Sequence, residues 1–414
     1  MNLSKRQNSK TSLSSPSPKE RGLGGEDIGL VLPNIPAYSE TFFRNKILGL
    51  QENGHEVILF VNNSKAKNNY LNCKVVKAPK LDGYRVNVLI VSFVQLIKAV
   101  FINPKKSLKL YNLNKKDGIS FPKNIKQIIA NQFLLSEKLD WLHFGFGTMA
   151  LERENTAQAI GAKMAVSFRG FDYYVYPIKN KHCYDMLFAK NVKYHVLSEG
   201  MRKGLEQQGV PAEKITKITP AIDLNLYRES NEQQGQIVRI ITVARLHWVK
   251  GIEYTLEALA ELKKQGFDFQ YTIIGEGIEK ERLKFSVQQL NLHENITFAG
   301  KLSPEEVRQR LNTADIYLQY SIQEGFCNAV LEAQAMGLLC IVSNAEGLSE
   351  NVLDNQTGWV VPKRNPELLA EKIKEVISLD VSKKEKIKVN AVLRVQQEFN
   401  LENQNQEFLI FYEK

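Results

Sequence analysis

Cysteine is scarce in this sequence: four in 414 residues, at Cys73, Cys183, Cys327 and Cys340, with no CxxC pair and no regular spacing. That excludes a disulfide framework or a cysteine-built zinc site and reads as ordinary thiols in a reducing compartment. Residues 1–25 lack an apolar h-region and are rich in Ser, Lys and Gly. They read as a flexible tail, not a secretory signal. The most apolar stretch, Val88 to Phe101, is interrupted by Gln95 and Lys98. It falls short of the ~20 apolar residues that cross a bilayer, so the expected chain is intracellular and does not span a membrane. There is no Asp-x-Asp, and no repeat with a period of about 20–50 residues. With 43% hydrophobic and 24% charged residues, collagen and whole-chain disorder are excluded as well.

What is present is length for two or three domains, at roughly 100–200 residues each, and an uneven charge. The formal charge of +10 divides into 33 basic and 17 acidic residues over 1–220, against 22 and 28 over 221–414. Residues 61–130 alone hold 14 basic and 2 acidic side chains. The N-terminal half is therefore expected to meet something anionic.

From Asp27 onward, short apolar runs alternate with longer amphipathic ones. DIGLVLPN, HEVILFV, DWLHFGF, KMAVSF and KYHVLS read as strands, with a helix capped by Ser39 and another from Glu199 to Gly209. After the polar segment 219–236 the pattern restarts with IVRIITVARL, FQYTIIG, NITFAG, DIYLQY, LCIVS and GWVVP. Helices are expected over Gly251–Lys264, Asn365–Leu379 and about 383–413. Such alternation predicts α/β domains with doubly wound, mostly parallel sheets. The expected division is a tail (1–25), an N-terminal domain (26–220), a linker (221–236) and a C-terminal domain (237–395). A last helical segment (396–414) is expected to pack back on the first domain. A ligand belongs in the cleft between the domains, at the carboxyl ends of the strands.

Three segments of the second domain concentrate chemistry. In Ala244-Arg245-Leu246-His247-Trp248-Val249-Lys250-Gly251, Arg245 is read at a buried strand end and Lys250 just before a helix, a pair suited to a diphosphate. A solvated Lys and a carboxylate-paired Arg explain the same residues. Gly275-Glu276-Gly277 would let a ligand approach backbone, or would simply make a tight turn. In Gln323-Glu324-Gly325-Phe326-Cys327-Asn328-Ala329-Val330-Leu331-Glu332, a helix is expected to start at the turn. Glu324 then faces the cleft, Glu332 lies about two turns on, and the amides from Gly325 to Asn328 point into the same space. Carboxylates accept bonds from sugar hydroxyls and N-terminal amides bind phosphate. A Glu complementing the helix dipole plus a surface Glu is the plainer account.

Together these residues resemble the family 4 glycosyltransferases of the GT-B superfold, over about residues 27–395. ARLHWVKG carries the strand-end Arg and Lys, EGFCNAVLEAQAMG the two glutamates, and NAEGLSE, TGWVV and PELLA follow in order. PAYSETFF, LQENGHEV, SFRGFD and AIDLNLY resemble polysaccharide-assembly members, with Ser-Glu-Thr-Phe in place of a double-Gly loop. The resemblance implies two Rossmann-like domains facing each other across a cleft, and retaining transfer of a sugar from a nucleotide donor without metal or cofactor. It implies that Arg245 and Lys250 bind the diphosphate and Glu324 the sugar hydroxyls. The amides near Gly325, Phe326, Cys327 and Asn328 would support sugar and phosphate, and Glu332 would hold the ribose. The loop Gly300, Lys301, Leu302 would flank the base, and Gly275 is a further donor-binding candidate. Retention in such enzymes has the acceptor attack on the leaving-group face, a donor phosphate oxygen taking its proton.

Two departures stand out. Arg169 occupies a place where relatives carry His, and Arg is no base near neutral pH; it is expected to bind phosphate or an acidic acceptor, oriented by Asp172. His143-Phe144-Gly145-Phe146-Gly147 lacks a second His, so His143 is expected to be a satisfied strand-end residue. Glu40 is an acceptor-side candidate, or a first-turn Glu stabilising its helix. His247 and Trp248 either floor the cleft or pack the core. The basic stretch 61–130, interleaved with Val88–Phe101, suits the inner membrane surface better than nucleic acid, since no nucleic-acid module is present; a plain solvated face is the alternative. The expected partners are a nucleotide-sugar and a glycan or lipid-linked acceptor, with a sensor or a sugar-nucleotide epimerase as alternative functions.

Overall fold

The computed structural model describes residues 25–36, 41–63, 71–227 and 237–413; Ser39, Glu40 and the tail 1–24 lie outside them. Seven parallel strands form the first sheet: β1 (Asp27–Asn34), β2 (Glu56–Asn63), β3 (Lys74–Lys77), β4 (Trp141–Phe144), β5 (Lys163–Ser167), β6 (Val192–Val196) and β7 (Ile215–Lys217). Their spatial order is β3-β2-β1-β4-β5-β6-β7. The second sheet holds β8 (Val238–Val243), β9 (Phe269–Ile274), β10 (Ile296–Gly300), β11 (Ile316–Gln319), β12 (Leu339–Ser343) and β13 (Trp359–Val361), in the order β10-β9-β8-β11-β12-β13. Both are doubly wound, and the strand order reverses at β1/β4 and at β8/β11.

Each sheet is buried on both faces, which is why its central strands read as continuous apolar runs. In β1, Val31 joins Phe60, Phe144 and Val166 on one side, while Leu30 and Leu32 join Leu59 and Val61 on the other. In the second sheet Ile240, Ile273 and Leu318 face one helical layer, and Ile241, Ile274 and Tyr317 the other. The period of two sorts neighbouring residues into the two cores.

The edge strands β3 and β7, of four and three residues, are too short for alternation to reveal. The basic stretch folds into helices: Arg85–Ile97, continued by a wide turn at Lys98–Ile102, then Pro104–Lys116 and Phe121–Leu135. The expected long C-terminal helix is two, Val381–Glu398 and Leu401–Tyr412. Asp380 caps the first, its side chain accepting from the Lys383 amide, and Asn400 caps the second by accepting from the Asn403 amide. The break serves a crossing: Ile222 N donates to Phe399 O at 3.0 Å, so the outgoing and returning chains meet between the domains. Leu401–Tyr412 then covers the first sheet, burying Phe408, Phe411 and Tyr412 beside Trp141, whose indole N–H donates to Tyr412 O at 3.2 Å.

Candidate active site

The turns leaving β4, β8 and β11 open at the two switch points, and that leaving β5 lies one strand along from the first, so the sheets aim them at one cleft. Past β8, Ala244 N donates to Ile274 O at 2.9 Å and Leu246 N to Glu276 O at 3.0 Å. These bonds lay the loop directly on Gly275, whose φ is +140° and whose Cβ would stand 1.9 Å from Ala244 O. Close backbone packing, not ligand approach, is what requires glycine there.

Lys250 ends a short turn, Trp248–Lys250, ahead of the helix Ile252–Lys264. Its ammonium pairs directly with the Glu324 carboxylate, both side chains being nearly buried at 14% and 13% exposure; Ser321 Oγ also donates to Glu324 Oε2 at 3.3 Å. Burial works against the Lys250 charge, yet the Glu324 carboxylate outweighs it and holds the ammonium above its ordinary pKa. Arg245 differs from expectation. It lies two residues beyond β8 and is exposed, so its charge carries no burial cost and faces open cleft.

The turn after β11 is irregular from Ser321 to Cys327, and the helix begins only at Asn328. Glu324 and Glu332 are therefore not two turns apart on one helix. The expected row of free amides is also interrupted, because Cys327 N–H donates to Asn351 Oδ1 at 3.0 Å while Asn351 Nδ2 donates back to Cys327 O at 3.2 Å. Cys327 is buried, its thiol pushed up to about 12 by that burial, and Phe326 turns inward to pack its ring 5.6 Å from Phe399. Gly325 is where the domains touch: a Cβ there would lie 1.8 Å from Arg169 O.

From the other wall, Arg169 lays its guanidinium over Phe42 at 3.7 Å and Phe43 at 4.2 Å. Asp172 does not orient that guanidinium. Its carboxylate accepts instead from the backbone N–H groups of Arg169 (2.9 Å), Gly170 (3.1 Å) and Gly147 (2.8 Å), locking the turn after β5 to that after β4. Burial raises the Asp172 pKa, against the pull of these amides.

A hollow of about 560 Å³ lies between the walls, lined by Arg169, Gly170, Arg245, His247, Lys250 and Glu324 among others. A second, of about 410 Å³, is lined by Arg44, Asp223, Tyr227, Ser303, Arg308 and Glu332. Burial pushes the Glu332 carboxyl up to about 7, although the Tyr227 hydroxyl bonded to it acts the other way. The structure thus brings Arg169, Arg245, Lys250, Glu324, Gly325 and Phe326 to one hollow and places Glu332 on the other. Gly300 ends β10 and Lys301 and Leu302 follow it, next to Ser303 on the rim of the second hollow, but none of the three lines either hollow. Asn328 opens its helix outside both hollows. Tyr227 was not singled out in the sequence, since no spacing ties it to Glu332; Ser321 and Asn351 act through folding alone.

His143 is wholly buried away from the cleft. It meets Ser167 Oγ at 2.8 Å and Lys46 Nζ at 3.1 Å, and touches the Tyr412 hydroxyl. Burial, and then Arg169, hold the Lys46 pKa well below its ordinary value. Trp248 is 42% exposed with its ring 5.7 Å from His247, so neither residue is core.

Residues 225–394 match the group 1 glycosyl transferases. The chain is also 30% identical over 286 residues to the amylovoran biosynthesis glycosyltransferase AmsK of Erwinia amylovora, covering 66% of this chain and 69% of that one. It belongs to this family, as a glycosyltransferase of GT-B fold. WcaL of Escherichia coli, named for colanic acid biosynthesis, is 26% identical over 399 residues, 92% of this chain and 98% of its own. Among solved structures, Anabaena HepE in complex with UDP superposes with a TM-score of 0.69 at 16% identity, covering 93% of this chain and 98% of that one. At that identity the likeness concerns the fold.

Proposed function

We propose that this glycosyltransferase moves a sugar from a nucleotide-sugar donor to a glycan or lipid-linked acceptor in surface polysaccharide assembly, with retention and without a metal. The Lys250–Glu324 ion pair on the cleft wall, with Arg245 open beside it, carries the reading. Breaking the anomeric bond leaves positive charge on the sugar and negative charge on the diphosphate. Lys250 and Arg245 meet the second charge, and Lys250 is already fixed by its carboxylate, so little reorganisation accompanies the step. Glu324 accepts from sugar hydroxyls, while Glu332, in the adjoining hollow, accepts from the ribose. Arg169, stacked on Phe42 and Phe43, presents a cation from the acceptor side. The acceptor hydroxyl attacks from the leaving-group face and passes its proton to a donor phosphate oxygen, so no protein nucleophile is needed. The names of the amylovoran and colanic acid relatives support the polysaccharide assignment.

Glu324→Ala tests it: transfer should fall about 10²–10³-fold, and wild-type turnover should survive a chelator. Unchanged transfer in the variant would overturn the donor role. Donor binding without turnover in wild type would favour a sensor.

A further inference from the structure

Between Tyr84 and Ile102, eleven large apolar side chains are exposed to solvent, Phe101 at 77% and Leu89 at 70%. They lie on one continuous helical run. The opposite face, through Gln95 and Ala99, is buried against the domain, where Ala99 joins Leu110 and Ile128. Val86, Leu89, Phe93 and Val100 repeat at intervals of three, four and seven, with Phe101 beside the last, so they form a stripe instead of scattered exposures. Apolar surface of this extent marks an interaction site.

The next helix supplies a second observation. Lys105, Lys109 and Lys116 share one face of Pro104–Lys116 and line a shallow groove of about 420 Å³ with Leu108 and Leu113. Among the described residues, none of the three lysines has a carboxylate at salt-bridge distance. A protein partner covering the stripe would need a second, acidic patch for the lysines. An anionic lipid surface offers both at once, acyl chains for the stripe and phosphates for the lysines.

We propose that Arg85–Ile102 docks the protein on an anionic phospholipid leaflet, lying in the plane of the interface, with the Lys105–Lys109–Lys116 face against the headgroups. The eighteen residues are long and apolar enough to cross a bilayer by composition and length. The topology opposes crossing. β3 before the helix and Pro104–Lys116 after it belong to the same folded domain, so both ends stay on one side. The inference rests on the transferase reading where it names the surface at which a lipid-linked acceptor is met. Vesicle binding needs no turnover, so the two fail separately.

The test is co-sedimentation of the full chain with phosphatidylcholine vesicles, with and without phosphatidylglycerol. Wild type should pellet with the anionic vesicles, and inorganic phosphate should not release it. Combining Leu89→Glu, Phe93→Glu and Phe101→Glu should lower partitioning at least tenfold while leaving the donor-induced rise in melting temperature intact. Lys105→Gln, Lys109→Gln and Lys116→Gln together should erase the preference for anionic lipid. Independently of those variants, Phe93→Trp should be quenched by lipids brominated at shallow acyl positions and not at deep ones. No pelleting of wild type, unaltered pelleting of the glutamate variant, deep quenching, or a dimer in solution that the glutamates dissolve would each overturn the proposal.

Discussion

If Glu332 holds the ribose as proposed, it ties donor binding to pH. In the unliganded protein its carboxyl is pushed up to about 7, whereas a ribose diol bonds best to the carboxylate, which only accepts. Donor binding should therefore release a proton near neutrality. If the complex keeps Glu332 ionised, affinity falls up to tenfold per unit below about pH 7. Between about pH 8 and about pH 5.5 the loss is about 30-fold, or ~2 kcal/mol. The diphosphate diester of a nucleotide-sugar has no group titrating in that window. Calorimetric titration of donor at several pH values, repeated in buffers of different ionisation enthalpy, reads both the slope and the proton. Glu332→Gln should bind more weakly at pH 8 and show a flat profile. The same linkage acts on the unliganded fold. Because the folded pKa lies above the unfolded one, stability is fullest below about pH 4.5 and declines as pH rises through about 7, by at most ~3 kcal/mol. Glu332→Gln removes that decline. Wild-type affinity independent of pH, or a slope that survives in Glu332→Gln, refutes the assignment.

Three further outcomes follow from the contacts around the cleft. Lys250→Met strands a nearly buried Glu324 and should cost about 3 kcal/mol of stability in urea titrations as well as donor binding; Lys250→Met with Glu324→Gln should recover the stability and not the binding. Gly325→Ala pushes a methyl into Arg169 O and should part the domains, read as a larger radius of gyration in solution scattering with transfer lowered more than tenfold. Asp172→Ala frees three amides and should destabilise the N-terminal domain by about 3 kcal/mol, whereas Arg169→Lys, which loses the flat stack on Phe42 and Phe43, should lower transfer with a smaller change in stability.

The legible parts of this molecule are those governed by local periodicity. Central strands such as Ile240–Thr242 and Tyr317–Leu318 had to be buried on both faces, and their apolar runs said so. Lys250 and Glu324 lie in the loops that lead from a strand to a helix, where short-range order places them at a cleft mouth. What escaped reading depended on partners distant in sequence. Cys327's amide is taken by Asn351, 24 residues on; Gly275 is a glycine because of Ala244; Asp172 serves amides on two turns rather than the neighbouring guanidinium. Of the edge strands, β3 and β7 were not legible, since their three or four residues, KVVK and ITK, mix apolar with charged or polar side chains and display no period.

The sequence by itself determined the two-domain α/β architecture and the uneven charge, because hydrophobic period, turn chemistry and composition are properties of the chain read in order; the glycosyltransferase class was legible only through the resemblance of its motifs to a known family. Only the tertiary structure decided which of those residues share a hollow, and that Arg245 is exposed while Lys250 is held by Glu324. It also decided that the apolar run Arg85–Ile102, long enough by length and composition to span a bilayer, lies open on the surface beside lysines that have no carboxylate at salt-bridge distance among the described residues. Pairing and exposure are set by what packs against a residue, and packing joins segments the chain keeps tens to hundreds of residues apart.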